Sequence, residues 1–404
     1  MTPLVAPQFP DLPLIPGGGL LSVPGTAAGV VAAGIKKPDQ PPSRDDVIVI
    51  VAPGVAAGVT TRSTAAAAPC RWTRARLPGP CQAVVINAGN ANAATGPQGE
   101  VDAAAMAEAA AQTLGCSPDA VLVCSTGVIG VPMPMFRVIP AVQAAAADLS
   151  ATGHRAARAI LTTDLVPKEA AVLVGGITVG GMAKGSGMIH PNMATMLGFV
   201  ATDALVPAAA LQRLTEEIVD RTFNAISVDG DTSTNDTLLV LATGRGPEAV
   251  PGSPAWADLA RGLETVCRHL ARAIARDGEG ATTLMEAVVL GLESDAAARA
   301  AAKAIVSGSL IKAAIYGRDP NWGRIVGALG AAGVPGLDQL DLDLAGVPVL
   351  RDGRPVAFDE ATASAALRAP EVRILARLPG QGVGVAWGCD LTEKYVEINA
   401  DYRS

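Results

Sequence analysis

Aromatic residues and histidines are scarce in this chain. Its 404 residues include 4 Trp, 3 Tyr, 5 Phe and 3 His. Half of the residues are apolar and alanine supplies much of that share, which predicts a core of small, closely packed aliphatic side chains. With so few histidines and no matching Ser or Cys arrangement, a histidine-based catalytic triad is disfavoured. The length suits two domains, or one large core with a smaller one.

The sequence also lacks the features of a membrane, exported or nucleic-acid-binding protein. No run reaches about 18 uninterrupted apolar residues, so no transmembrane helix is expected. The N-terminal stretch has no basic segment and is broken by prolines, which predicts an extended arm rather than a signal peptide. The formal net charge of −7 provides no basic surface for nucleic acid or anionic lipid. We therefore expect a cytoplasmic protein with neither nucleic acid nor membrane as a partner.

Motifs for metals and nucleotide cofactors are missing as well. The cysteines form no Cys-x-x-Cys pair, which favours reduced thiols over a disulfide framework or a zinc site. The Gly-rich segments 17–19 and 185–187 lack the spacing of a Walker loop or a Rossmann fingerprint. Asp229–Asp236 resembles a calcium loop but has Val240 where the twelfth-position Glu belongs, so we interpret it as a structural polar loop near the active site. No cofactor or metal is expected.

Hydrophobic periodicity predicts alternating helices and strands, hence an α/β or α+β fold. Candidate boundaries are the loop Pro247–Pro254 and the linker around Gly330–Gly336. The helical segments are Val101–Leu114 (with Gly115 as its C-terminal cap), Pro207–Thr222 and Trp256–Arg276. The predicted strands are Ala120–Cys124, Thr237–Ala242, Leu284–Leu292 and, near the end, Lys394–Asn399.

The run Lys184–Leu197 (KGSGMIHPNMATML) carries the strongest chemical signal. A mid-chain Thr has no base beside its hydroxyl, but cutting the Ala194–Thr195 bond would free an α-amine on the same residue. Such an amine has a pKa of about 7.7–8.0 and is partly neutral at working pH. This is the N-terminal-threonine solution to nucleophile activation.

Further blocks accompany this run in order along the chain. Together they resemble the ornithine acetyltransferases (glutamate N-acetyltransferases) of arginine biosynthesis, and the resemblance covers nearly the whole sequence. The blocks are GVVAAGIK (29–36), NAGNANAATG (87–96), STGVIG (125–130), FNAISVDGDTSTNDT (223–237), RDGEGAT (276–282), KAAIYGRDPNWGRI (312–325) and NADYRS (399–404).

The resemblance implies an architecture and an assembly. The fold would be a layered αββα core of N-terminal-nucleophile type with a smaller C-terminal α/β domain from about residue 335. Self-cleavage would give an α chain of 1–194 and a β chain of 195–404, assembled as a heterotetramer of two α and two β chains. The activity would be ping-pong transfer of acetyl from N2-acetyl-L-ornithine to L-glutamate. Some members of the family also take acetyl from acetyl-CoA, and no residue here decides that question.

For catalysis, the resemblance implies that Thr195 is the nucleophile, with Ala194 on the other side of the cleaved bond. Without the surrounding blocks, a buried Thr before an apolar strand would be the simpler interpretation. Thr126 and Gly127 would form the oxyanion hole, because the end of a strand can present backbone N–H groups and hydroxyls with little side-chain bulk. An ordinary strand-to-turn transition is the structural alternative for this pair.

The substrate contacts also follow from the resemblance. Lys184 would hold a substrate carboxylate, and Glu279, between two glycines, would suit the ornithine ammonium. A solvated lysine and a turn carboxylate are the structural alternatives. The remaining expected contacts are Asn399, Ser404 (where the family is expected to have Thr) and one of Thr162 and Thr163. A related N-terminal-nucleophile aminopeptidase or amidase is the alternative function; it would pass its acyl group to water.

Overall fold

The computed structural model describes residues 12–190 and 196–401. The helices in these ranges are Ala68–Arg74 (α1), Gly96–Leu114 (α2), Met135–Ala147 (α3), Gly153–Ala159 (α4), Ala208–Arg221 (α5), Pro254–Arg276 (α6), Asp295–Ser307 (α7), Ser309–Gly317 (α8), Trp322–Ala331 (α9), Glu360–Ala366 (α10) and Glu393–Asp401 (α11). The strands are Ala27–Val31 (β1), Val47–Thr60 (β2), Gly79–Asn90 (β3), Val121–Val128 (β4), Lys168–Val174 (β5), Ile177–Lys184 (β6), Leu197–Thr202 (β7), Ile226–Ser227 (β8), Thr237–Ala242 (β9), Leu284–Leu292 (β10), Asp341–Leu344 (β11), Val347–Arg351 (β12), Arg354–Pro355 (β13), Glu371–Gly380 (β14) and Val383–Cys389 (β15).

The first sheet has the strand order β4-β3-β2-β9-β7-β6-β5, with β1 alongside the first half of β2. The pairs β3–β4 and β7–β9 are parallel, and the other pairs are antiparallel. Almost all of β2 is buried on both faces, which explains its nearly continuous apolar run.

Helices cover one face of this sheet in two places. α2 and α3 pack over the part of the sheet that contains the start of β2 and β4. α6 packs over β5 and β6, and α5 packs against the second half of β2. On the opposite face one hydrophobic cluster joins Ile50 and Leu122 to Met182 and Phe199. The sheet therefore has helices on one face and a continuous apolar cluster on the other, in keeping with the layered α/β core that the resemblance implied.

The second sheet lies in the C-terminal half, in the order β13-β12-β11-β14-β10-β15-β8. α7 packs on β10 and β15, and α6 contacts β15 as well as β5 and β6. One long helix thus contributes to the packing of both sheets. In the loop that follows it, the Glu279 N–H donates to the Ser186 carbonyl just after β6, and a Cβ on Gly278 would lie 2.6 Å from Cys389 Sγ on β15. The mixed α/β class predicted from the sequence is confirmed.

Most of the predicted elements are present. The helix capped by Gly115 ends there with the glycine at φ 68°, and Pro207 precedes its helix as the N-cap. The strand expected at Ala120–Cys124 is longer, because Ser125–Gly127 continue to pair with β3 as far as Val128. The division into self-cleaved chains and the domain boundary near 335 stay predictions.

One predicted strand is wrong. Residues 394–399 lie within helix α11, which begins at Glu393. Alternation over six residues cannot separate a short strand from an exposed helix. The segment also contains a Lys394–Glu397 ion pair at i,i+3 spacing, 2.8 Å long, which suits a helix.

Three further observations concern membrane spans, metal-binding groups and the cysteines. No helix among residues 12–190 and 196–401 is long and apolar enough to cross a membrane. The same ranges hold no group of three or more His, Cys, Asp or Glu arranged to bind a metal ion. All six cysteines are free thiols, and five of them are buried.

Candidate active site

A cleft opens where the end of β4, the end of β6 and the start of β7 meet the glycine loop after α6. Most of the predicted substrate residues that lie within the described ranges share this one cleft. Its lining includes Thr126, Gly127, Thr162, Thr163, Lys184, Gly187, Met196, Asn235, Asp236, Glu279 and Asn399.

The predicted catalytic residues Ala194 and Thr195 lie outside the described residues, as does Ser404. Met196, which directly follows Thr195, is buried and lines the cleft. Its carbonyl accepts a 3.0 Å hydrogen bond from the Thr237 N–H at the start of β9.

Gly127 sits at a position where only glycine fits. Its φ is +135°, in the region that favours glycine, and a Cβ there would lie 2.2 Å from the Gly89 carbonyl carbon. The register of β3 and β4 shifts at Gly89 and Asn90, so two backbones approach closely beside the cleft. A backbone without side chains on this wall can present N–H groups directly to a reacting carbonyl.

Asparagines hold this wall in place. The Ser125 hydroxyl donates to Asn87 Oδ1 at 2.5 Å, and Asn87 Nδ2 donates to the Asn90 carbonyl at 2.8 Å. From the opposite side, Asn235 Nδ2 donates to the Ser125 carbonyl at 2.9 Å. These asparagines were not predicted as site residues. The available signal for Asn87 and Asn90 was the repetition of Asn in the block 87–96, because buried amides must find partners.

Lys184 is buried at the end of β6, with 8% of its surface exposed. Its Nζ lies 3.4 Å from Thr126 Oγ1, so the cation and the predicted oxyanion residue face the same space. Burial lowers the pKa of Lys184, and the nearby Asp164 carboxylate opposes that shift. A buried ammonium with little water around it is a strong partner for a substrate carboxylate.

A buried network of charged side chains lies next to Lys184. Lys168 Nζ lies 2.7 Å from Asp164 Oδ1 and 2.7 Å from Asp277 Oδ2. Asp164 Oδ1 also accepts the Gly185 N–H at 2.6 Å, which fixes the chain directly after Lys184. Burial would raise the pKa of Asp164, but the Lys184 and Lys168 charges outweigh it and lower that pKa. This network was not predicted from the sequence, although a lysine at the start of an apolar strand was a signal for it.

Thr162 and Thr163 both line the cleft, and they make different contacts. The Thr163 hydroxyl lies 2.9 Å from the Ser186 hydroxyl, whereas the Thr162 N–H donates to Asp164 Oδ2 at 3.2 Å. The question of which threonine contacts substrate stays open.

Glu279 and Asn399 line the cleft together and contact each other. Asn399 Nδ2 donates to Glu279 Oε2 at 2.7 Å, and the Glu279 N–H donates to the Ser186 carbonyl at 2.9 Å. A Cβ on Gly187 would lie 2.4 Å from the Glu279 carboxyl carbon. Glycine at 187 therefore makes room for this carboxylate.

The chain matches a family model over residues 27–404, and that model describes the ArgJ family. The chain belongs to the ArgJ family.

The chain aligns with individual relatives over nearly their full length. The chain is 51% identical over 401 residues to the arginine biosynthesis bifunctional protein ArgJ of Symbiobacterium thermophilum, covering 96% of this chain and 99% of that protein. It is 49% identical over 387 residues to the protein of the same name from Thermus thermophilus, covering 94% and 98% respectively. A crystal structure of ArgJ from Bacillus halodurans is 46% identical, with a TM-score of 0.50, and covers 52% of this chain and 100% of that one.

Family membership confirms the resemblance that the seven blocks predicted. This ArgJ family chain is an acyltransferase of arginine biosynthesis.

Proposed function

We propose that this ArgJ family chain transfers acetyl from N2-acetyl-L-ornithine to L-glutamate through an acetyl ester on Thr195. The observation that carries the proposal is the cleft itself. A buried ammonium (Lys184), a side-chain-free strand end (Gly127) and a carboxylate (Glu279) line one space. Met196, the residue after the proposed nucleophile, lines it too.

Maturation precedes transfer. The Thr195 hydroxyl attacks the Ala194 carbonyl carbon, and its proton passes to the departing nitrogen as the C–N bond breaks. Water then hydrolyses the resulting ester, which leaves a carboxylate on Ala194 and a free amine and hydroxyl on Thr195. The new amine is the base that the hydroxyl lacked before cleavage.

In the first half-reaction the Thr195 amine accepts the hydroxyl proton and Oγ attacks the acetyl carbonyl carbon of the donor. Thr126 and Gly127 donate hydrogen bonds to the tetrahedral oxyanion. The C–N bond then breaks, the proton returns to the leaving nitrogen, and ornithine departs. In the second half-reaction the glutamate amine attacks the carbonyl carbon of the ester. The bond from that carbon to Thr195 Oγ breaks, and a proton from the amine passes to Oγ. N-acetylglutamate then leaves, and the Thr195 hydroxyl is restored.

One pocket must accept both amino acids. Lys184 would bind the α-carboxylate that they share, and Glu279, oriented by Asn399, would bind the side-chain ammonium of ornithine. One of Thr162 and Thr163 and the terminal Ser404 would complete the contacts. We propose a cytoplasmic heterotetramer of two α chains (1–194) and two β chains (195–404).

Denaturing mass measurement of the purified protein tests maturation. We expect two fragments that meet at Ala194 and Thr195, and a single chain of 40.6 kDa for Thr195→Ala, which should also lack transferase activity. Cleavage of Thr195→Ala would overturn the nucleophile assignment.

The reaction class is tested on the cleaved enzyme. Release of acetate from N-acetylornithine without glutamate, at the rate of transfer, would instead support an amidase. A separate assay with acetyl-CoA and glutamate as the only substrates decides whether acetyl-CoA is also a donor.

A further inference from the structure

The block 223–237 fills no role in the transfer chemistry above, apart from the Asn235 support of the strand end. Its backbone and side chains nevertheless contact both ends of the segment that contains the bond to be cut. Residues 188–190 lie just upstream of that segment, and Met196 lies just downstream.

The upstream end is bonded to the block at three consecutive residues. The Asp229 carboxylate accepts the N–H of Met188 at 2.6 Å and the N–H of Ile189 at 2.8 Å. The Val228 N–H donates to the Ile189 carbonyl at 2.7 Å. The Thr232 hydroxyl donates to the His190 carbonyl at 3.1 Å.

The side chain of His190 is also fixed. Its Nδ1 lies 3.0 Å from the Ser227 hydroxyl and 3.4 Å from that of Ser307. The downstream end is bonded to the same block, because the Thr237 N–H donates to the Met196 carbonyl and Leu197 pairs with Thr237 in parallel register.

The upstream turn is strained. Met188 has φ +55°, a left-handed conformation that is rare for residues other than glycine. Such a conformation persists only where its surroundings enforce it. The two N–H groups held by one carboxylate supply that enforcement, so Asp229 is the centre of the arrangement.

We propose that residues 227–237 are a two-ended clamp that orients the 191–195 segment for self-cleavage, with Asp229 as its principal positioning residue. The proposal rests on the self-cleavage of the preceding section. Fixing both ends of a short segment restricts the reacting hydroxyl and carbonyl to fewer geometries, which is the main way in which an intramolecular reaction is accelerated. Cleavage would place 188–190 in the α chain and 227–237 in the β chain, so the clamp would also hold the two products together.

The test follows cleavage of newly made full-length precursor over time by mass. Asp229→Asn should slow cleavage by at least about tenfold, because small displacements of reacting groups have effects of this size or larger. Asp338→Asn is the control: it removes the same charge from an exposed aspartate outside the block 223–237, and should cleave at the parental rate. Thr232→Val, which removes the bond to the His190 carbonyl, should slow cleavage by a smaller factor.

The melting temperature of each variant in the uncleavable Thr195→Ala background separates a direct effect on cleavage from a general loss of stability. If Asp229→Asn fails to fold there, Thr232→Val and Ser227→Ala decide the matter, since each removes one contact. Parental cleavage rates in a folded Asp229→Asn, or in both of these substitutes, would overturn the clamp. If Thr195→Ala itself were cleaved, the proposed function would fail instead, so the two failures are distinguishable.

Discussion

Asn399 on the C-terminal helix donates a 2.7 Å hydrogen bond to the carboxylate of Glu279, in the loop after α6. Glu279 is 8% exposed, so its orientation depends on this amide and on the space left by Gly187. Both residues line the same cleft as Thr126. A carboxylate held in this way suits a cationic side chain and disfavours an anionic one.

Glu279→Gln should therefore affect the reactions of the two substrates differently. We expect kcat/KM for N-acetylornithine to fall by at least about 30-fold, because a buried charge-assisted contact is lost. The glutamate half-reaction should be unchanged or slightly improved, since repulsion of the glutamate side chain is removed. Pre-steady-state measurement of each half-reaction checks this. Glu397→Gln, an exposed carboxylate on α11, is the control, and equal losses in both half-reactions would contradict the assignment.

Thr126 is expected to act on the transition state rather than on substrate binding. Thr126→Ala should lower kcat by about 10²-fold with little change in KM, because loss of one oxyanion donor has effects of this order. Thr126→Ser, which keeps the hydroxyl, should restore most of the rate. A rise in KM at unchanged kcat would instead place Thr126 in ground-state binding.

The sequence predicted much of this molecule because its signals were local. The helix ending at Gly115 and the apolar strands Thr237–Ala242 and Leu284–Leu292 follow from capping and periodicity alone. The family resemblance predicted that Lys184, Thr126 and Glu279 belong to one site. They are far apart in the chain, and all three line one cleft.

What could not be predicted depends on partners distant in sequence. Lys168 reads as the polar start of a strand, and only the fold shows it between Asp164 and Asp277. The segment 394–399 is helical for a local reason: an alternation of six residues is too short to separate a strand from an exposed helix.

Lys168→Met should destabilise the protein strongly. The Lys168 and Asp164 side chains are about 1% and 0% exposed, and removing the cation leaves two buried carboxylates without their shared partner. Breaking a buried network in this way costs about 3–5 kcal/mol. Denaturant unfolding of the Thr195→Ala precursor measures it. Lys394→Met, which removes a surface pair with 63% of each side chain exposed, should change stability by less than about 1 kcal/mol. Similar losses for both variants would refute the argument.

His190 should make stability pH-dependent on the acid side of neutrality. Burial, with a further contribution from the Lys303 charge, lowers the pKa of His190 from its ordinary 6.5 to about 4. Between these values the unfolded chain binds a proton that the folded chain does not, so stability is full above pH 6.5 and falls as the pH drops towards 4. After allowance for partial solvent access, this residue accounts for about 2 kcal/mol of that loss.

Melting temperatures of the Thr195→Ala precursor across this range should fall less steeply for His190→Gln than for the parent. If the His190→Gln and parental slopes coincide, the acid sensitivity originates elsewhere in the chain.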